Sequence, residues 1–280
     1  MRRSEWVLVA AYIYTAAMSA LLPVSGRVTA SVILLNLTVL ASYPLLAYAH
    51  SLRGNSLLGI MRDWYPFPLA LLIYREMGWF AQPHAGRELE SSWVVWDRAI
   101  LRGGLQAAIE SLGPVLPSLL EICYAVVYTL GLFVMAMLYV YHRRERADRL
   151  LFVFLLSVFF SYLQFPFWPS EPPRTVFPGE DFPQYDTIFR RFNWWLLAGH
   201  GIHTSVFPSA HVSGAFGAAF GAIRALPEKP WLGRGLVITA VLIAIATVYG
   251  RYHYAVDALA GFAMALAALA VARMGACRPR

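Results

Sequence analysis

An imidazole at His253 and a carboxylate at Asp257 stand four residues apart in the run Tyr249 to Gly261, YGRYHYAVDALAG. On a helix that spacing is one turn, so both side chains point to the same face, as a carboxylate must in order to orient a histidine. Just before them, Arg251 adds a permanent positive charge with a forked donor set suited to phosphate oxygens. A second imidazole, His211, closes the run Phe207 to His211 (FPSAH), where Pro208 and Ser209 open an apolar helical stretch. Ser209 fits the N-cap of that helix, and a helix start offers phosphate free N–H groups and the positive end of the dipole. Arg174 follows two prolines in FPFWPSEPPR (165–174), a rigid approach that suits an arginine holding a phosphate from one side. Two histidines, a carboxylate, arginines and a helix start make a phosphoryl-transfer constellation.

Each of these residues has a plainer reading. Asp257 could only cap the last helix, FPSAH could be an ordinary capped helix entry, and Arg174 could meet lipid headgroups. Those readings explain Pro208 and Ser209 but not His211, and they do not explain why the whole set occurs together. His200 and His203 precede FPSAH as HxxH, which raises a zinc site. No cysteine or carboxylate stands nearby at ligand spacing, so neither a metal nor a cofactor is expected.

The elements that must position these groups are membrane helices. The chain has 280 residues, 59% hydrophobic and 14% charged, with a mean hydropathy of +0.54. Long uncharged apolar runs of that kind are the signature of bilayer spans rather than of a water-soluble domain. They occur near residues 6–22, 29–49, 64–80, 118–140, 150–168, 209–226, 235–249 and 255–272. The expectation is an all-α integral membrane protein of about eight transmembrane helices. Residues 1–117 would form N-terminal membrane helices and an interfacial segment, and residues 118–280 the catalytic core. The first run is too long for a signal peptide and lacks a small-residue cleavage site followed by a soluble chain. The two cysteines, Cys123 and Cys277, imply no disulfide framework.

The net charge of +7 does not call for nucleic acid, because its distribution follows the rule that cytoplasmic loops are basic. With a cytoplasmic N-terminus, fourteen of the 23 Lys and Arg residues fall on that side, among them the cluster HRRERADR at 142–149. Arg174, His211, His253 and Asp257 then all come out on the opposite, non-cytoplasmic side. Residues 81–117, with WVVWDR and Gly/Pro punctuation, and 169–208, rich in Pro, Trp and Phe, lie on that side too and read as interfacial segments over a lipid-like substrate. Their plainer reading is interfacial packing alone. No internal repeat supports an inverted-repeat transporter, and the sequence carries no signal of oligomeric state.

At these residues the chain resembles the type-2 phosphatidic acid phosphatase superfamily of membrane lipid phosphatases and phosphotransferases. Pro208, Ser209 and His211 match the family's PSxH motif. His253 and Asp257 match its HxxxD ending, and Pro172, Pro173 and Arg174 match a first motif ending in PPR. Two positions depart: Phe167 stands where the first motif usually has lysine, and Thr247 where the third usually has arginine, whose charge Arg251 takes over. These departures, the form YxRYHYxxD and the stretch RDWYPFPLALLIYRE (62–76) resemble the branch containing inositol phosphorylceramide synthases.

The resemblance implies a phosphatase-type helical core bundle in which His253 attacks phosphorus to form a phosphohistidine and Asp257 fixes its tautomer. His211 would protonate the leaving oxygen and then activate the acceptor. Arg174, Arg251 and Ser209 would hold the phosphate oxygens. The expected partners are a lipid phosphate or diphosphate and membrane lipids, with no nucleic acid, in a bacterial cytoplasmic membrane and with the site on the non-cytoplasmic face. Two alternatives stand beside hydrolysis: transfer of a phospho-headgroup to a lipid alcohol, and a non-catalytic protein that binds or transports lipid.

Overall fold

The computed structural model describes residues 1–53, 56–80, 86–202 and 204–274, and all regular structure among them is helical. In chain order the helices are α1 (Arg3–Leu21), α2 (Gly26–Arg53), α3 (Ser56–Trp64), α4 (Pro66–Phe80), α5 (Glu88–Ile100), α6 (Gln106–Glu110) and α7 (Val115–Val140). Then follow α8 (Ala147–Tyr162), the single turn α9 (Pro173–Val176), α10 (Ile188–His200), α11 (Ala210–Ala225), α12 (Pro230–Tyr249) and α13 (Ala255–Met274).

Five of them, α1, α2, α7, α12 and α13, are long and apolar enough to cross a bilayer, the pattern of an integral membrane protein. The count of eight is not met on that measure. The other three apolar runs form α4, α8 and α11, which have 15, 16 and 16 residues. At about 1.5 Å per residue they reach about 24 Å at most, short of a hydrocarbon core of about 30 Å. In one of the three, α8, the apolar run continues past the helix end. After Tyr162 the chain turns irregularly through Leu163 to Trp168, with Phe165 buried, and irregular backbone is tolerated at membrane depth where protein covers it.

Helix α11 is the hub, packing against α7, α8, α12 and α13, while α1 and α4 lie against the outer side of α8. Small residues make the close approach possible. A Cβ added at Gly217 would stand 2.7 Å from the Ser157 side chain on α8. One at Gly261 would stand 2.4 Å from the Ser209 carbonyl oxygen, so α13 can press directly on the entry to α11. Of the two segments expected at the interface, the described residues 86–117 are largely helical and 169–208 carry α9 and α10. Their α5 and α10 expose Trp96, Phe189, Phe192, Trp194 and Trp195, and ion pairs of Arg98 and Arg102 with Asp181 (2.9 and 2.6 Å) tie them together.

Candidate active site

His253 lies in the loop Gly250–Tyr254 between α12 and α13, not on a helix with Asp257, yet the pair still meets: Nδ1 is 3.3 Å from Asp257 Oδ2. The shorter contact was not foreseen, and it is from Nδ1 to the Val206 carbonyl oxygen at 3.0 Å. A carbonyl oxygen can only accept, so Nδ1 carries the proton and Nε2 is left with its lone pair. Nε2 faces His211 Nδ1 at 3.3 Å. His211 must therefore donate from Nδ1, and its Nε2 accepts from the Tyr128 hydroxyl at 3.0 Å. One proton arrangement thus satisfies the whole chain from Tyr128 through both imidazoles to Val206.

Local structure explains why the two rings meet. Ser209 caps α11, its hydroxyl accepting from Val212 N at 3.3 Å, and its own N–H donates to the Asp257 carbonyl at 3.0 Å. That bond, with the tight Gly261 contact, fixes the start of α11 against the start of α13. Ser205 N donates to the Ser170 carbonyl at 2.7 Å, which holds the approach to Val206. Ser205 and Arg251 both adopt left-handed backbone, φ 73° and 64°, at a cost of about 1–2 kcal/mol each for residues other than glycine. These two turns aim the Val206 carbonyl and the His253 ring at one another.

Arg174 sits on the turn α9, where its backbone N–H donates to the Arg251 carbonyl at 3.2 Å and its guanidinium to the Tyr252 carbonyl at 3.4 Å. It lines a small chamber of about 30 Å³ together with His211, His253, Tyr74, Tyr124 and Tyr252. Burial, together with the Arg174 charge, pushes the His253 imidazole down to about 3, outweighing the Val206 bond that acts the other way. The ring is therefore neutral near pH 7, as a nucleophile must be. His211 is steadied by stacking on Tyr124 (4.9 Å between centroids), which itself stacks on Tyr252 at 4.1 Å.

The remaining sequence-derived residues sit close by but do not line the chamber. Arg251 is fully buried and paired with Asp97 of α5 at 2.7 Å, with its Nε and Nη2 lacking partners. Asp97 also accepts from Ala255 N at 2.8 Å, so one carboxylate holds both ends of the loop that carries His253. The Ser209 hydroxyl is engaged as a cap; by helix geometry the N–H groups of Ala210 and His211 in the same first turn have no intrahelical acceptor. Glu121 on α7 forms a buried network with Arg190 (3.1 Å), Asn193 (2.7 Å) and the Tyr252 hydroxyl (2.7 Å). His203 and the side chain of His200 lie outside the described residues. Among the described residues no group of three or more His, Cys, Asp or Glu side chains could hold a metal ion.

Sequence reasoning missed Tyr128, Asp97 and the Val206 carbonyl. Tyr128 and Asp97 lie far away in the chain and carry no spacing signal, and a carbonyl is not written in residue identity at all.

A known protein family matches this chain across the same residues. The family described as the PAP2 superfamily matches residues 99–271, a stretch that contains Arg174, Ser209, His211, Arg251, His253 and Asp257. A PA-phosphatase related-family protein of Dictyostelium discoideum is 32% identical over 99 residues, covering 33% of this chain and 17% of that protein. The chain thus matches about a sixth of that relative's length. No solved structure matches the chain.

Proposed function

The chain belongs to the PAP2 superfamily, and from that premise we propose that it is a lipid phosphatase or phosphotransferase working through a phosphohistidine on His253. The observation that carries this reading is the unprotonated Nε2 of His253, held in its tautomer by the Val206 carbonyl and facing both His211 and the Arg174 chamber.

A lipid phosphate or diphosphate entering the chamber would replace the contact between the two rings. Its negative charge favours protonated His211, which then donates from Nδ1 to the leaving oxygen and from Nε2 to Tyr128. Nε2 of His253 forms the bond to phosphorus as the bond to the leaving oxygen breaks, and that oxygen takes the His211 proton. His211 is left with a free Nδ1, ready to take the proton of the acceptor that attacks the phosphohistidine. Arg174 and the first-turn N–H groups of α11 would stabilise the charge on the equatorial oxygens. Asp257 would stabilise the imidazolium character of His253.

The site would open on the non-cytoplasmic face. The support is that α11 runs from His211 at one end to Arg224 at the other, where Arg224 senses the charges of Arg3, Arg149 and Arg273. That basic end belongs on the cytoplasmic side.

The test is phosphate release by the detergent-purified protein from phosphatidic acid and from a polyprenyl diphosphate. His253→Ala should lower it by about a thousandfold or more; retention of more than a few per cent of the wild-type rate would sink the assignment. If wild type releases nothing, phosphatidylinositol with a lipid alcohol tests the transfer reading. Binding of lipid phosphate without turnover of any of these substrates would favour the non-catalytic one.

A further inference from the structure

Beside the phosphate chamber lies a second cavity of different character, about 400 Å³ in volume and bounded by α4, α7, α8 and α11. Its walls are Phe67 and Leu71 from α4, Val127 and Leu132 from α7, and Phe154 and Val158 from α8. Tyr74, Ala210 and His211 line both cavities. His211 therefore stands in the partition, with the arginine and the nucleophile on one side and hydrocarbon on the other.

That position decides what belongs in the groove. In the proposed reaction His211 serves the oxygen that leaves phosphorus, or the oxygen that arrives. Whatever is bonded to that oxygen extends away from phosphorus on the His211 side, into walls that offer it no polar partner except Tyr74, Tyr128 and Tyr162. An inositol or sugar group would lose its hydrogen bonds to water there, whereas a hydrocarbon chain gains by the transfer. Leu71, at the groove wall, is itself 57% exposed on the apolar exterior, so a chain could enter sideways from the bilayer.

The wall contributed by α4 lies outside the family-matched stretch, which begins at residue 99. It is nevertheless tied to the site: the Tyr74 hydroxyl accepts from Ile202 N at 3.0 Å, a few residues before FPSAH. Phe67 also packs on Phe154 across the groove, with 5.7 Å between ring centroids.

We infer that this groove binds one hydrocarbon chain of the lipid whose oxygen His211 serves, and that α4 sets the chain length and shape the protein accepts. The inference rests on the phosphohistidine reading for the role of His211, and its test is arranged to separate the two.

Gly131 on α7 backs the groove, and a Cβ there would stand 2.8 Å from Phe67 and 3.0 Å from Phe154. Gly131→Leu in the full chain should therefore narrow it. The measurement is the ratio of kcat/KM for palmitoyl phosphatidic acid to that for the butyryl analogue. It should fall by about tenfold or more, the scale on which a pocket senses added methylenes. A proportional loss on both substrates, or no change in either, overturns the inference. Leu71→Trp narrows the same groove from its exposed side and gives the same ratio test should Gly131→Leu fail to fold. A binding readout separates the two readings: a palmitoyl phosphatidic acid carrying a diazirine near its chain end, photolysed with His253→Ala. Labelling of the α4 and α7 groove residues supports the inference even if wild type proves inactive in every turnover assay. Labelling confined to other helices overturns it even if wild type is active.

Discussion

The two ends of the helical bundle treat buried charge in opposite ways. At the basic end, buried Asp63 receives Arg2 at 2.5 Å on one oxygen and Arg144 and the Tyr139 hydroxyl, both at 2.7 Å, on the other. Glu5, also buried, is held by Arg62 and by Arg2 N. Every carboxylate oxygen there has a donor. At the histidine end, Asp257 Oδ1, the Tyr254 hydroxyl, Glu90 Oε2 and two nitrogens of Arg251 are buried without partners. An unsatisfied buried polar atom costs about 1–3 kcal/mol, so a fold keeps several together only where something else uses them. The basic end joins α1, α3 and α7 and leaves neither of these carboxylates an open oxygen, its one unpartnered buried atom among the described residues being His50 Nδ1 near Arg144; the other end keeps hydrogen-bonding capacity in reserve around the nucleophile.

The largest effect should come from breaking the fully buried Arg251–Asp97 pair at the histidine end. Asp97→Ala leaves Arg251 buried without a counter-charge and frees the loop at Ala255, and such a loss is worth about 3–5 kcal/mol. We expect a lower thermal midpoint in detergent together with loss of phosphate release; an unchanged midpoint would mean the pair does not hold the loop. Asp63→Asn at the basic end should cost about 1–3 kcal/mol of stability while phosphate release at a temperature well below the midpoint stays within about twofold. Should turnover collapse with the fold intact, the two ends are not independent.

Smaller effects sharpen the account of the site. Tyr128→Phe removes the partner of His211 Nε2 and should lower kcat by about tenfold, with KM little changed, because phosphate binding does not use that hydroxyl. A change in KM alone would assign Tyr128 to binding instead. The smallest effect is in the pH profile. His253 has its ordinary value of 6.5 lowered by burial, so protonation of the free enzyme's nucleophile is postponed to more acid solution. The acid limb of kcat/KM, which reports the free enzyme, should lie below pH 6.5. A limb at or above that value that disappears when His253 is replaced would contradict the buried, neutral ring.

What could be read from the sequence is what local spacing encodes. His253 and Asp257 meet as expected, though His253 stands in the loop before α13 and not one turn along a shared helix, and Ser209 caps the helix that carries His211. Arg174 does share a chamber with the two histidines, from within the helical turn that Pro173 opens. Two kinds of information were missing. Partners supplied from elsewhere in the chain, such as Asp97 for Arg251 and Tyr128 for His211, depend on tertiary packing that no periodicity reveals. Backbone groups such as the Val206 carbonyl act independently of side-chain type, so the residue that fixes the His253 tautomer could not be named in advance. The span count could be read only in part for a related reason: hydropathy measures how apolar a run is, not whether its last residues continue the helix, and Leu163 to Trp168 leave α8 for irregular backbone.

The hydrogen bond between the two imidazoles has a consequence for how the protein behaves when idle. With His211 Nδ1–H resting on it, the lone pair of His253 is capped by its own partner in catalysis. The cap yields only to a ligand that offers His211 a better acceptor and Arg174 a negative charge at the same time. A neutral lipid drifting through the groove satisfies neither condition. In a membrane crowded with diacylglycerols, sterol-like molecules and free alcohols, the nucleophile would stay sheathed until an anionic headgroup draws the sheath aside.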